Sequence, residues 1–197
     1  MSSSVTSASP SPYEAPELYD LLFESLDFDR GFWLEVGRQA RGPVLDLGCG
    51  TGRVLIPLLE AGMDADGVDL FPAMLERLRA KAAKQGFRPR LLAADMRDFT
   101  MPRRYARVIC AFNAFAHCGT IEDQLATLRC CREHLEPGGA LVIHMSYPGA
   151  SLWLGPDGAP VLEHEATNPA TGNRLQLYDR RFMDAVNQRQ RSEIEVR

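Results

Sequence analysis

Three glycines at alternate positions, Gly48, Gly50 and Gly52, lie in VLDLGCGTGR between an apolar run and the start of a helical pattern, with Asp46 just ahead of them. Glycine lets a chain turn sharply and lets a ligand approach where a Cβ would collide. Alone, such a turn is an ordinary tight strand-to-helix connection. It gains meaning from Asp69, which closes the next apolar run in ADGVDL. A carboxylate about 20 residues on from the glycines stands where a nucleotide-binding fold grips ribose hydroxyls. The third glycine of a dinucleotide fingerprint is absent, because Arg53 holds that position. An acid in front of the turn would also repel a pyrophosphate and attract an ammonium group, directly or through water.

That pattern points to a ligand with an adenosine and an amino-acid tail, S-adenosylmethionine in preference to NAD. Asp69 has a second possible role as the cap of the following helix, but Pro72 suits the first helical turn and moves the cap to Phe71. Leu70 and Phe71 are expected against the adenine. In LLAADMRDF the third strand ends at Asp95, whose carboxylate can accept from the adenine amino group while the Met96 backbone reads the ring. Asp98 is the alternative, and one of the two acids is expected to be merely solvated. His117, in FNAFAH after the fourth strand, stands where a general base or an acceptor-orienting group would sit. Its other reading is a hydrogen-bonded structural histidine. His144 is expected inside the fifth strand, packed or near the pocket, and His134 and His164 exposed. No pair of the four histidines has ligand spacing on one element, so no metal is expected. Cys118 beside His117 reads as a buried thiol.

Positioning these groups requires strand–helix repeats. Short apolar runs at 44–47, 64–69, 89–93, 107–112 and 140–145 alternate with amphipathic stretches at 52–61, 72–85 and 121–135, with Gly62 and Gly86 as helix stops. The expected sheet is mostly parallel with helices on both faces. Ahead of it, apolar residues from 17 to 39 recur at helical intervals with a break at 27–31. The stretch from Tyr147 to Asn173 reads as loop, and 174–179 and 189–196 as strands of an antiparallel excursion about the turn at 168–173. The chain thus divides into a disordered Ser/Pro-rich tail at 1–12 and one domain at 13–197. Within it, 13–41 are the N-terminal helices, 42–147 the binding core and 148–197 the loop and hairpin.

At 197 residues one core suffices without disulfide or metal staples. The formal charge of -4 without a basic run gives no footprint for nucleic acid. Five cysteines without C-x-x-C spacing suggest reduced thiols in the cytoplasm. No signal peptide is expected, and no apolar run approaches the ~20 residues of a membrane span.

Taken in order, DLGCGTGR, GVDL, ADMRDF, AFNAFAH and LEPGG resemble the class I S-adenosylmethionine-dependent methyltransferases, within them the small-molecule group of glycine N-methyltransferase and the aminosugar N-methyltransferases. The likeness runs from about Tyr13 to Tyr147. It implies a Rossmann-like, doubly wound α/β fold with S-adenosylmethionine as cofactor and S-adenosylhomocysteine as product. It further implies that Asp46, Gly48, Cys49, Gly50 and Gly52 surround the methionine portion, Asp69 the ribose, and Asp95 and Met96 the adenine. Cys110, Ala111, Phe112 and Asn113 would line the methyl end. Tyr19, with Tyr13 as second choice, matches the aromatic residue that closes over the cofactor in relatives; its other reading is core packing. Relatives continue into further strands that complete a seven-stranded sheet, so the C-terminal strands look missing and the fifth strand's edge open. A fragment, or a partner or second copy on that edge, would account for it. The activity expected is methyl transfer to a small-molecule N or O acceptor by in-line displacement. The alternative is a non-catalytic or truncated S-adenosylmethionine-binding module.

Overall fold

The structure is a computed structural model that describes residues 12–147, 149, 153, 158–168 and 170–197. The described residues open with a 3₁₀ turn, Pro12–Glu14, followed by α1 (Pro16–Phe23) and α2 (Arg30–Gln39). The repeats come next: β1 (Val44–Leu47), α3 (Leu55–Glu60), β2 (Ala65–Asp69), α4 (Pro72–Lys84), β3 (Leu91–Ala93), β4 (Tyr105–Cys110), α5 (Ile121–His134) and β5 (Leu135–Ile143). All neighbouring strands of this sheet run parallel, in the order β3-β2-β1-β4-β5. The order reverses between β1 and β4, and in open parallel sheets the crevice beyond the carboxyl ends of the strands at such a reversal receives the ligand.

Both faces of this sheet are covered, which is why β1 and β2 are buried along their whole length. On one face Val44 and Ile109 pack with Trp33 of α2, Leu55 and Leu58 of α3 and Leu75 and Leu78 of α4. On the other, Leu45, Leu47, Val68 and Val108 meet Cys130 and Cys131 of α5 and Phe99. The N-terminal helices are tied to the core by ions. Asp20 of α1 accepts from Arg77 Nε at 2.6 Å and from Lys81 Nζ at 3.0 Å, both on α4.

A second sheet of three antiparallel strands follows: β6 (Pro160–Thr167), β7 (Arg174–Asp184) and β8 (Arg189–Val196). Its first strand falls in a stretch expected to be loop. The sequence there hides it, because β6 is largely exposed and carries only a short alternation among turn-forming residues. The turn that joins β6 to β7 is where expected, with the Gly172 amide bonded to the Asn168 carbonyl. β4 ends two residues early because Phe112 and Asn113 take left-handed backbone, with φ of 50° and 64°. β5 begins at Leu135, earlier than expected, and His144 lies just past its end. The expectation of a disordered tail falls outside the described residues except for Pro12, which opens the 3₁₀ turn. Among the described residues, no helix is long and apolar enough to cross a membrane.

Candidate functional site

The turn after β1 is built by glycines in left-handed backbone: Gly48, Gly50 and Gly52 have φ of 75°, 52° and 95°. A Cβ on Gly50 would meet nothing within 4 Å, so that glycine leaves open space above the turn. A Cβ on Gly52 would come within 2.3 Å of Leu78, so that glycine serves packing against α4. One turn thus closes onto the core and opens toward solvent.

Two carboxylates flank it. Asp46, at 1% exposure, points from β1 with neither oxygen bonded to another side chain. Burial pushes its carboxyl up to about 7, with a further push from Asp69, against lowering pulls from Arg53 and from the Leu55 amide. Asp69, at the end of β2, accepts from the Gly50 amide through Oδ2 at 2.7 Å and from the Phe71 amide through Oδ1 at 2.9 Å. It therefore holds the glycine turn and the entry to α4 together. Each carboxylate oxygen accepts more than one bond, so both retain capacity for a ligand hydroxyl. Burial raises the Asp69 carboxyl, and those amides oppose the rise.

Beside Asp69 lies a cleft lined by Leu47, Gly48, Val68, Leu70, Ala94, Asp95, Met96, Arg97, His117 and Cys118. Leu70, Asp95 and Met96, the residues expected at the adenine, are brought together in this cleft. Phe71 does not line the cleft; it stacks on Tyr13 with centroids 5.4 Å apart. The Asp95 carboxylate is held by Arg97, from its backbone amide at 2.9 Å and from its guanidinium at 2.6 Å. Arg97 also reaches Asp123 at 2.7 Å, so Asp95 sits in an ion-pair chain at the rim and its carboxyl lies below the usual range. Asp98 is exposed and joined to Asp95 by a single backbone bridge.

At the end of β4, Ala111 is buried and Phe112 is half-buried. Asn113 Oδ1 accepts from the Ser146 amide at 2.5 Å, which ties this corner to the segment after β5. A bulky residue with positive φ costs of order 1–3 kcal/mol and persists where its surroundings impose it. Here the Arg53 guanidinium lies over the Phe112 ring, 4.5 Å from its centroid, while donating to both Asp29 oxygens. In the sequence, Arg53 stands out only as the residue that breaks a dinucleotide fingerprint. Its pairing with Asp29, across 24 residues, left no local signal.

The N-terminal aromatics close the opening. Tyr13 hydroxyl and His117 Nε2 are 3.1 Å apart, and Tyr13 is 6.0 Å from Tyr19 between ring centroids. Tyr19 in turn packs on Phe23 at 4.8 Å, and Phe23 meets Phe112 edge-on at 5.9 Å. Burial raises the hydroxyls of Tyr13 and Tyr19, so both are donors at neutral pH. His117 is exposed at the mouth, lining the cleft beside Asp69. The other histidines depart from expectation in part. His134 is buried, accepting from the Met101 amide at 3.1 Å and stacked on Phe99. His164 is half-buried against Phe23. His144 packs between Phe28 and Trp33. Cys49, Cys110 and Cys118 are buried free thiols; burial places those of Cys49 and Cys110 well above the usual range, which leaves them unreactive.

Residues 44–139 match the family described as a methyltransferase domain. The chain is 33% identical over 157 residues to a cypemycin N-terminal methyltransferase of Streptomyces sp, an alignment covering 77% of this chain and 63% of that one. It is 33% identical over 100 residues to a dTDP-3-amino-3,4,6-trideoxy-alpha-D-glucopyranose N,N-dimethyltransferase of Streptomyces venezuelae, covering 51% and 40%. It therefore spans less than two thirds of the length of either relative. The solved structure of Streptomyces venezuelae DesVI shares the fold, with a TM-score of 0.70 over 96% of this chain and 83% of that one at 21% identity.

Proposed function

We propose, from the likeness of its core to methyltransferase domains, that the chain is a class I S-adenosylmethionine-dependent methyltransferase and passes a methyl group from S-adenosylmethionine to a nitrogen or oxygen of a small-molecule acceptor. The observation that carries this reading is the Asp46 carboxylate, buried beneath a glycine turn with no side chain bonded to either oxygen. A buried, unpaired carboxylate is costly, and an ammonium group above the turn would relieve it, directly or through one water. A pyrophosphate in the same place would worsen it.

The residues present fit the cofactor. Asp46 with Gly48, Cys49, Gly50 and Gly52 would hold its amino-acid tail, Asp69 its ribose diol, and Leu70, Asp95 and Met96 its adenine. Ala111, Phe112 and Asn113 would border the methyl end, under Tyr19. When bound, S-adenosylmethionine supplies an electrophilic methyl and a strong leaving group, so the chain's own tasks are alignment and exclusion of water. Tyr13, Tyr19, Phe23 and Phe112 form an apolar cover suited to both. An amine acceptor needs only to arrive unprotonated, whereas a hydroxyl needs a base. His117, bonded to the Tyr13 hydroxyl, is the group at the mouth able to hold such a proton.

The five buried free cysteines support a reducing compartment, the cytoplasm. Among the described residues β5 has no strand on its outer side, and an open strand edge of this kind favours a second copy or another partner there. Incubation with methyl-labelled S-adenosylmethionine and a panel of small amines and alcohols tests the reading. Label in an acceptor, lost in Asp69→Ala, is expected. Labelled cofactor that binds without turning over on any acceptor would leave a binding module, and preferential binding of NAD would overturn the assignment.

A further inference from the structure

Phe112 borders the proposed methyl end, and a charge holds its ring there. The Arg53 guanidinium lies 4.5 Å from the ring centroid, while the centroids of Phe23 and Phe28 are 5.9 Å and 6.5 Å away. A cation over an aromatic ring is attracted by the quadrupole of the ring. A guanidinium in that place fixes the ring only while it is itself fixed.

Asp29 fixes it. This residue stands at the N-cap of α2, where an aspartate ordinarily accepts from the first amides of the helix, yet its side chain makes no cap bond. Its oxygens accept instead from Arg53 Nη1 at 2.5 Å and Nη2 at 2.9 Å, and Oδ2 accepts also from Trp33 Nε1 at 2.9 Å. Arg53 Nη1 donates further to the Leu26 carbonyl at 3.1 Å. A two-pronged bond of this kind orients the guanidinium plane, which the point charge of an ammonium could not provide. The pair is shielded from water, with side chains 11% and 9% exposed. Both residues line a cavity of about 290 Å³ among α2, α3 and α4, and Phe112 does not line it. That space would let the guanidinium swing off the ring, and the fork from Asp29 prevents it. The cavity shares no lining residue with the cleft beside Asp69, so the pair reaches the methyl end without touching the groups proposed for ribose and adenine.

Resting on the methyl-transfer reading, we propose that Arg53 and Asp29 are positioning residues, which set the Phe112 ring against the methyl group of the cofactor and so align the donor for displacement. The test reads the methyl itself and needs no acceptor. It is the NMR resonance of S-adenosylmethionine, isotopically labelled in its methyl carbon and bound to the full chain. The ring current of Phe112 should displace the bound methyl resonance, and the change on Phe112→Leu measures its share. Arg53→Lys keeps the charge and loses the fork. It should remove at least half of that share, with affinity for S-adenosylmethionine held within threefold. Asp29→Asn should act in the same direction, and carries the test alone if Arg53→Lys does not fold. On a Phe112→Leu background neither substitution should move the resonance further. An ion pair that merely braces the fold would leave the resonance in place, or move it equally with and without the Phe112 ring, and either result overturns the proposal. So does a bound resonance that Phe112→Leu leaves unmoved, or a tenfold loss of cofactor affinity in Arg53→Lys, which would put the guanidinium on the cofactor itself. Failure to bind S-adenosylmethionine at all would instead bring down the methyl-transfer reading beneath it.

Discussion

Asp46 is charged at a cost. Its ordinary value is 3.8, and burial pushes it up to about 7 in the folded chain. A carboxyl whose folded value is raised binds its proton more tightly when folded, so its unfavourable contribution is absent below about pH 4 and grows as pH rises toward 7. Asp46→Asn removes that contribution. The variant should melt above wild type at pH 8, by about 2–4 °C for each kcal/mol recovered, while binding S-adenosylmethionine at least about tenfold more weakly. A variant that melts below wild type at pH 8 would show that the carboxylate is stabilised by something other than a ligand. The same linkage predicts proton release on binding: an ammonium beside Asp46 lowers its value again. Calorimetry at pH 6 in two buffers of different ionisation enthalpy should therefore report protons released, and equal heats would contradict it. Phe112 and Asn113, by contrast, show how a site can escape a sequence. Their positive φ ends β4 and sets the corner; asparagine is prone to left-handed backbone, but nothing in the type of Phe112 announces it.

At the scale of elements, α1 matters because it carries Tyr19 and Phe23. Burial alone would raise the Asp20 carboxyl, but the Thr51 hydroxyl and the bonds from Arg77 and Lys81 hold it below the usual range, so this cluster pins the helix to the glycine turn and to α4. Removing one partner of a buried pair costs about 3–5 kcal/mol, and less where, as at Arg77, a partner is a third exposed. Asp20→Ala should lose about 1–3 kcal/mol in denaturant unfolding and bind S-adenosylmethionine several-fold more weakly. Unchanged cofactor affinity would detach α1 from the site. The parallel strands were legible because each is a short apolar run closed by a turn signal. β6 was not, since VLEHEAT has too little to bury to stand out. His134, expected to be exposed, is buried, and its place carries the signal: it lies seven, four and three residues after the buried Thr127, Cys130 and Cys131, on the inward stripe of α5. The meeting of Tyr13 with His117, 104 residues apart, had no such signal.

Across the whole molecule, a fully covered parallel sheet carries the glycine turn, and a more exposed antiparallel sheet leans on α1. Amide hydrogen exchange should be slowest in β1, β2 and β4 and faster in β6 and β8, whose side chains are largely exposed. S-adenosylhomocysteine should slow exchange in the glycine turn and the N-terminal segment 12–23 well before it affects β8. Uniform protection would argue against a site under that segment. The most direct measurement is a crystal structure of the chain with S-adenosylhomocysteine. It should show both ribose hydroxyls within hydrogen-bond distance of Asp69 and the amino-acid tail over Gly48, Gly50 and Gly52. A ligand lodged anywhere else would contradict the account.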